Sequence, residues 1–140
     1  MNALIVVADA AHARLFRTRT SLHDITELED RLHTESRRRD RELAEDTGGR
    51  TGDQQSTLDP RTSPKEQEER NFARELGRHL EELRQAEGFE QLILVSPPRF
   101  LGMLREALPA PLQRVEQRSV HKEMLHASAG ELADYLKQHA

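Results

Sequence analysis

Residues Ala3 to Ala8 read ALIVVA, an unbroken apolar run with three β-branched side chains at its centre. A strand with one wet face alternates apolar and polar residues, whereas a continuous run suits a strand covered on both faces. This stretch is therefore expected to be the central strand of a sheet, and the rest of the chain must supply apolar cover on both sides. Gln91 to Val95 (QLILV) carries the same signature and is expected to be a second buried strand.

The segments around these two complete an α/β pattern. Asp9, Ala10 and Ala11 suit a turn, after which His12 to Thr18 (HARLFRT) reads as a strand of mixed polarity. Ser21 to Asp24 turns the chain again, and Ile25 to Leu32 (ITELEDRL) reads as a third, more exposed strand. Connections this short favour an antiparallel meander. Ser63 to Glu66 (SPKE) is a capping box with proline at the first helical position. It opens a helix from Pro64 to about Glu87 with Phe72, Leu76, Leu80 and Leu83 on one stripe, stopped by Gly88. Ser96-Pro97-Pro98 reads as a rigid turn leading to a short helix from Arg99 to about Leu108, with Phe100, Leu101 and Leu104 inward. Pro109 and Pro111 are expected to break that helix, and Gln113 to Val120 (QRVEQRSV) to form an edge strand. Ser128 to Glu131 (SAGE) is a second capping box, opening a last helix with Leu132, Tyr135 and Leu136 on one face.

The order βββ-loop-α-β-α-β-α predicts one mixed five-stranded sheet with helices on both faces and strand order 3-2-1-4-5, a ribonuclease H-like topology. The 140 residues suit a single domain spanning 1–140. Its polarity is uneven. From His33 to Glu69 the only large apolar side chains are Leu43 and Leu58. Such a stretch buries too little apolar surface to offset its ordering entropy, so a long polar, mobile loop is expected at about 33–63.

Several chemistries find no footing. The chain has no cysteine, which removes disulfides, thiolate metal sites and thiol nucleophiles. No HExxH, GxSxG or Walker sequence is present. His121 and His126 are five apart and would face different sides of a helix, so they do not form a metal pair. His12, at the start of a strand, reads as a surface residue. A two-metal nuclease needs several converging carboxylates, and Asp9 stands alone after the first strand, where a turn or cap role fits it better. No cofactor, no metal site and no nuclease activity are expected. The apolar run at the N-terminus is too short, with no basic residue before it, for a signal peptide. No segment approaches the length of a membrane helix. The expectation is a cytoplasmic protein without a membrane partner.

The net charge of −4 argues against general nucleic-acid binding, but the charge is unevenly spread. Ser36 to Arg41 (SRRRDR) packs four arginines into six residues, with acidic neighbours at Glu35, Asp40 and Glu42. Gly48, Gly49 and Gly52 follow, with Arg50 among them and Gln54 and Gln55 just beyond. The glycines suit a flexible turn better than a phosphate nest, because they do not sit directly between a strand and a helix.

A loop placed between an antiparallel meander and a long capped helix resembles the middle domain of the eukaryotic and archaeal class-one release factors and their relative Pelota. In release factors a Gly-Gly-Gln motif on this loop reaches the peptidyl-tRNA ester. Here Gly48-Gly49 is present, Arg50 stands in the glutamine position, and Gln54 and Gln55 are displaced. Over nearly its full length the chain also resembles the bacterial host attachment proteins. The matching blocks are LIVVADAAHARLF, ESRRRDRELAEDTGGRTGD, DPRTSPKEQEERNFARELGRHL, QLILVSPPRFLGMLREAL and SVHKEMLHASAGEL, in that order.

Three functional expectations stand side by side. The first is a non-catalytic, ribosome- or tRNA-associated module, with Arg37, Arg38, Arg39, Arg41 and Arg50 meeting phosphates and Gly48, Gly49 and Gly52 giving flexibility. The second is a protein-interaction module in attachment or biofilm behaviour, its loop folding on a partner. The third, on the resemblance alone, is peptidyl-tRNA hydrolysis using Gln54 or Gln55. The edge strand leaves a second copy open as a partner.

Overall fold

The computed structural model describes residues 2–19, 22, 24–32 and 63–138. Five strands, β1 (Ala3–Ala8), β2 (His12–Thr18), β3 (Thr26–Leu32), β4 (Gln91–Ser96) and β5 (Glu116–His121), form one mixed sheet in the order β3-β2-β1-β4-β5. β2 pairs antiparallel with β1 and with β3, while β4 pairs parallel with β1 and with β5. The expected order 3-2-1-4-5 is thus the observed one. Among the described residues four helices accompany the sheet: α1 (Pro64–Glu87), α2 (Pro98–Ala107), α3 (Ala110–Gln113) and α4 (Ala129–Gln138).

All six side chains of β1 are buried, and they divide by parity between two cores. Leu4, Val6 and Ala8 pack with Leu15, Leu92 and Leu94 beneath Phe72, Leu76 and Leu80 of α1, Phe100 and Leu104 of α2, and Leu112 of α3. Ala3, Ile5 and Val7 pack on the other face with Phe16, Ile93 and Val95 against Leu132 and Leu136 of α4. A continuous apolar strand is what this arrangement requires, since neither face of β1 meets water.

Local chemistry sets the element ends. The Asp9 carboxylate accepts hydrogen bonds from the amides of Ala11 and His12, both at 2.9 Å, and so closes the β1–β2 turn. Ser63 caps α1 by accepting from the Glu66 amide at 3.0 Å, with Pro64 at the first position. Gly88, at φ 71°, takes the left-handed conformation that ends α1, its amide donating to Arg84 O. The second capping box is reciprocal: Ser128 Oγ accepts from the Glu131 amide at 3.1 Å, and Glu131 Oε1 accepts from the Ser128 amide at 3.0 Å.

Two expectations need correction. Gln113 does not begin a strand. Residues Ala110–Gln113 form the one-turn helix α3, and β5 starts only at Glu116. Pro109 and Pro111 end α2, but their fixed φ also suits the start of a helix, and Pro111 lies inside the first turn where it forfeits no intrahelical bond. The Gln113 side chain then donates to Leu108 O at 2.9 Å, which holds the turn against the end of α2. His121 and His126 do not share a helix. His121 ends β5 and His126 sits in the turn region before α4.

Candidate functional site

β1, β3, β4 and β5 run in the same direction, so their carboxyl ends share one edge of the sheet. From β1 the chain passes to β2 on one side. From β4 it passes to β5 on the other. The β1–β4 junction is therefore a topological switch point, and open α/β sheets bind ligands outside the carboxyl ends of the strands at such a point.

The N-termini of both α1 and α2 lie at this edge, because α1 runs back across the sheet to feed β4 and α2 departs from its end. The α1 stripe of Phe72, Leu76 and Leu80 extends one turn further as Glu68 and Glu69, both buried. Glu69 Oε2 lies 3.4 Å from Arg99 Nη1 on α2, the carboxylate side 4% exposed and the arginine 64% exposed. A buried carboxylate needs such a partner to offset its desolvation. Ser96, the last residue of β4, is 1% exposed and its hydroxyl has no hydrogen-bond partner among the described residues.

On the opposite face of the sheet, close to the same edge, Arg14 of β2 joins three segments. Its Nε and Nη2 bind both oxygens of Glu27 at 2.9 Å each. Its Nη1 donates to Leu125 O at 2.9 Å and Ala127 O at 2.7 Å, and its guanidinium lies 5.0 Å from the Phe16 ring centroid. The Arg14 side-chain hydrogen bond holds the Glu27 carboxyl below its usual range. His12, read from sequence as a surface residue, is half-buried and contacts the Asp30 carboxylate on the neighbouring strand. Among the described residues no group of three or more His, Cys, Asp or Glu side chains is arranged to hold a metal ion.

The residues singled out from sequence for phosphate contact, Arg37, Arg38, Arg39, Arg41 and Arg50, lie outside the described residues. So do Gly48, Gly49, Gly52, Gln54 and Gln55. What the structure fixes is the attachment of their segment. β3 ends at Leu32 on the carboxyl edge, and α1 begins at Pro64 on the same edge. Sequence reasoning missed Glu68, Glu69, Ser96 and Arg99. The signal for the two glutamates was present, because they stand four and three residues before Phe72 and so fall on its stripe.

Fold and site together define a mixed-sheet α/β protein in which β3 ends and α1 begins at the carboxyl edge of the sheet. Residues 4–136 match the family described as "Protein required for attachment to host cells", and the chain belongs to that family. It is also 27% identical over 131 residues to an uncharacterized protein of Rickettsia prowazekii (strain Madrid E), a match covering 87% of this chain and 83% of that protein. Among the described residues no helix is long and apolar enough to cross a membrane.

Proposed function

We propose that this protein is a non-catalytic module that associates with the ribosome or tRNA through the arginine- and glycine-rich segment between β3 and α1. One observation supports the reading: the strand before that segment ends, and the helix after it begins, at the carboxyl edge of the sheet, the edge that also holds the switch point. Arg37, Arg38, Arg39, Arg41 and Arg50 lie between these two ends in the sequence. The arginine fork suits paired phosphate oxygens, and the exposed Arg99 adds a cation at the same rim. Kinship with the release-factor middle domain belongs to this reading, as does a cytoplasmic location.

The family description favours a second reading, a protein-interaction module in attachment to host cells, with the same segment folding on a protein partner. Peptidyl-tRNA hydrolysis through Gln54 or Gln55 is a third.

Sedimentation of native lysate through a sucrose gradient separates them. Co-migration with ribosomal particles, weakened by salt and by charge reversal at Arg37 to Arg39, supports the ribosome reading. Association that survives nuclease treatment points to a protein partner. Loss of a hydrolytic activity in Gln54→Ala or Gln55→Ala, with the arginines intact, points to the enzyme. Migration only at the top of the gradient, under starvation as well as growth, contradicts the ribosome reading.

A further inference from the structure

The two edges of the sheet are built differently. At one edge β3 carries Glu27, Glu29 and Asp30, tied to Arg14, His79 and His12, and its pairing with β2 is broken by a bulge between Leu15 and Phe16. Clustered like charge and a bulge are the devices that keep an edge from pairing with another strand. At the other edge β5 reads EQRSVH, with no proline, no register shift against β4 and a mixed charge pattern.

The direction of its free hydrogen-bonding groups follows from one contact. The Lys122 amide donates to Ser96 O at 3.0 Å, so even-numbered residues of β5 face β4. In a parallel ladder the alternate residues turn both N–H and C=O the other way. Gln117, Ser119 and His121 therefore present three donor–acceptor pairs outward, and among the described residues no strand takes them up.

We infer that β5 is a self-pairing edge, joining antiparallel to β5 of a second copy of this chain about a two-fold axis at Ser119. That register is the one in which all three outward-facing residues meet outward-facing residues: Ser119 opposite Ser119, and Gln117 opposite His121 twice. It also sets Glu116 opposite Lys122 at both ends, and Arg118 opposite Val120, so no like charges face each other. Glu116 is exposed, and no ion pair engages it among the described residues. Lys122 lies over the Tyr135 ring at 4.4 Å, on the α4 side of the sheet to which Glu116 also points by parity. The product is one continuous ten-stranded sheet across two copies, independent of what the segment between β3 and α1 binds.

The test is the mass of the purified full chain over a concentration series, by light scattering or sedimentation equilibrium. The wild type is expected to dimerise with rising concentration. Glu116→Lys, which sets lysine opposite lysine twice, is expected to weaken the dimer by about tenfold or more. Combining it with Lys122→Glu is expected to restore it. Ser119→Pro removes an outward N–H without touching the β4 ladder, so it is expected to give a monomer with unchanged circular dichroism. A wild type that stays monomeric throughout the series, or a dimer indifferent to both Glu116→Lys and Ser119→Pro, overturns the inference.

Discussion

Gly77 of α1 lies directly against the carbonyl of Ala107 at the end of α2: a β-carbon at position 77 would fall 2.8 Å from that oxygen. The obstacle is backbone, so relief requires the two helices to move apart. Helix propensity alone favours alanine over glycine by about 1 kcal/mol at a helix interior. Overpacking at a helix contact costs about 1–3 kcal/mol. Gly77→Ala is therefore expected to lower the thermal midpoint, whereas an increase would show that α1 and α2 can separate freely at this crossing.

Arg14 makes four hydrogen bonds to three residues in two segments, whereas among the described residues Glu27 is hydrogen-bonded to Arg14 alone. Replacing Arg14 with glutamine breaks the pair with the exposed Glu27 carboxylate and removes the donor from the part-buried contacts to Leu125 O and Ala127 O together. The expected loss is about 2–3 kcal/mol. Glu27→Gln leaves the two carbonyl contacts in place and is expected to cost less. Urea midpoints for the two variants give the ranking directly, and equal losses would mean the carbonyl contacts contribute nothing.

The same pair fixes a pH dependence. The Glu27 carboxyl is held below its ordinary value, first by the Arg14 hydrogen bond and then by the Arg14 charge. A carboxyl depressed in the folded state binds fewer protons folded than unfolded. Its contribution is therefore complete above the unfolded value of about 4.3, and is lost as pH falls below that toward the folded one. Glu131 is depressed in the same direction by its bonds to Ser128. The contributions of these two carboxyls are expected to be level near neutrality and to fall on acidification, with a shallower acid loss of stability in Glu27→Gln. Parallel acid-unfolding curves for the wild type and Glu27→Gln would contradict this.

The reciprocal cap at the start of α4 positions the helix that covers the second core. Ser128→Ala removes the acceptor for the Glu131 amide and is expected to cost about 1 kcal/mol, with Ser128→Asp retaining most of the stability. Hydrogen exchange should localise the Ser128→Ala effect to the first turn of α4. A uniform effect over the whole sheet would indicate a role beyond the cap.

The legible parts of the fold are those where local chemistry and tertiary need coincide. ALIVVA declared a strand buried on both faces, and Ser63, Gly88 and Ser128 marked helix ends that the structure retains. The prolines at 109 and 111 misled because the residue that stops one helix is also suited to begin the next, and only the packing of Leu112 into the core decides between them. The carboxyl-edge site was least legible. Glu69 and Arg99 meet across two helices, and no spacing along the chain encodes that contact. The burial of Ser96 follows from its place at the end of β4, under α1 and α2, and not from serine itself.

The proposed association with the ribosome or tRNA requires Arg37, Arg38 and Arg39 to engage RNA phosphates. The most direct measurement is the affinity of the purified chain for ribosomes and for tRNA at low and moderate salt, beside a variant carrying Arg37→Glu, Arg38→Glu and Arg39→Glu. Binding is expected to weaken steeply with salt, and the variant to show lower affinity and a flatter salt slope, because each lost phosphate contact removes a released counterion. Absence of binding at low salt, or binding indifferent to both salt and the triple substitution, would contradict it.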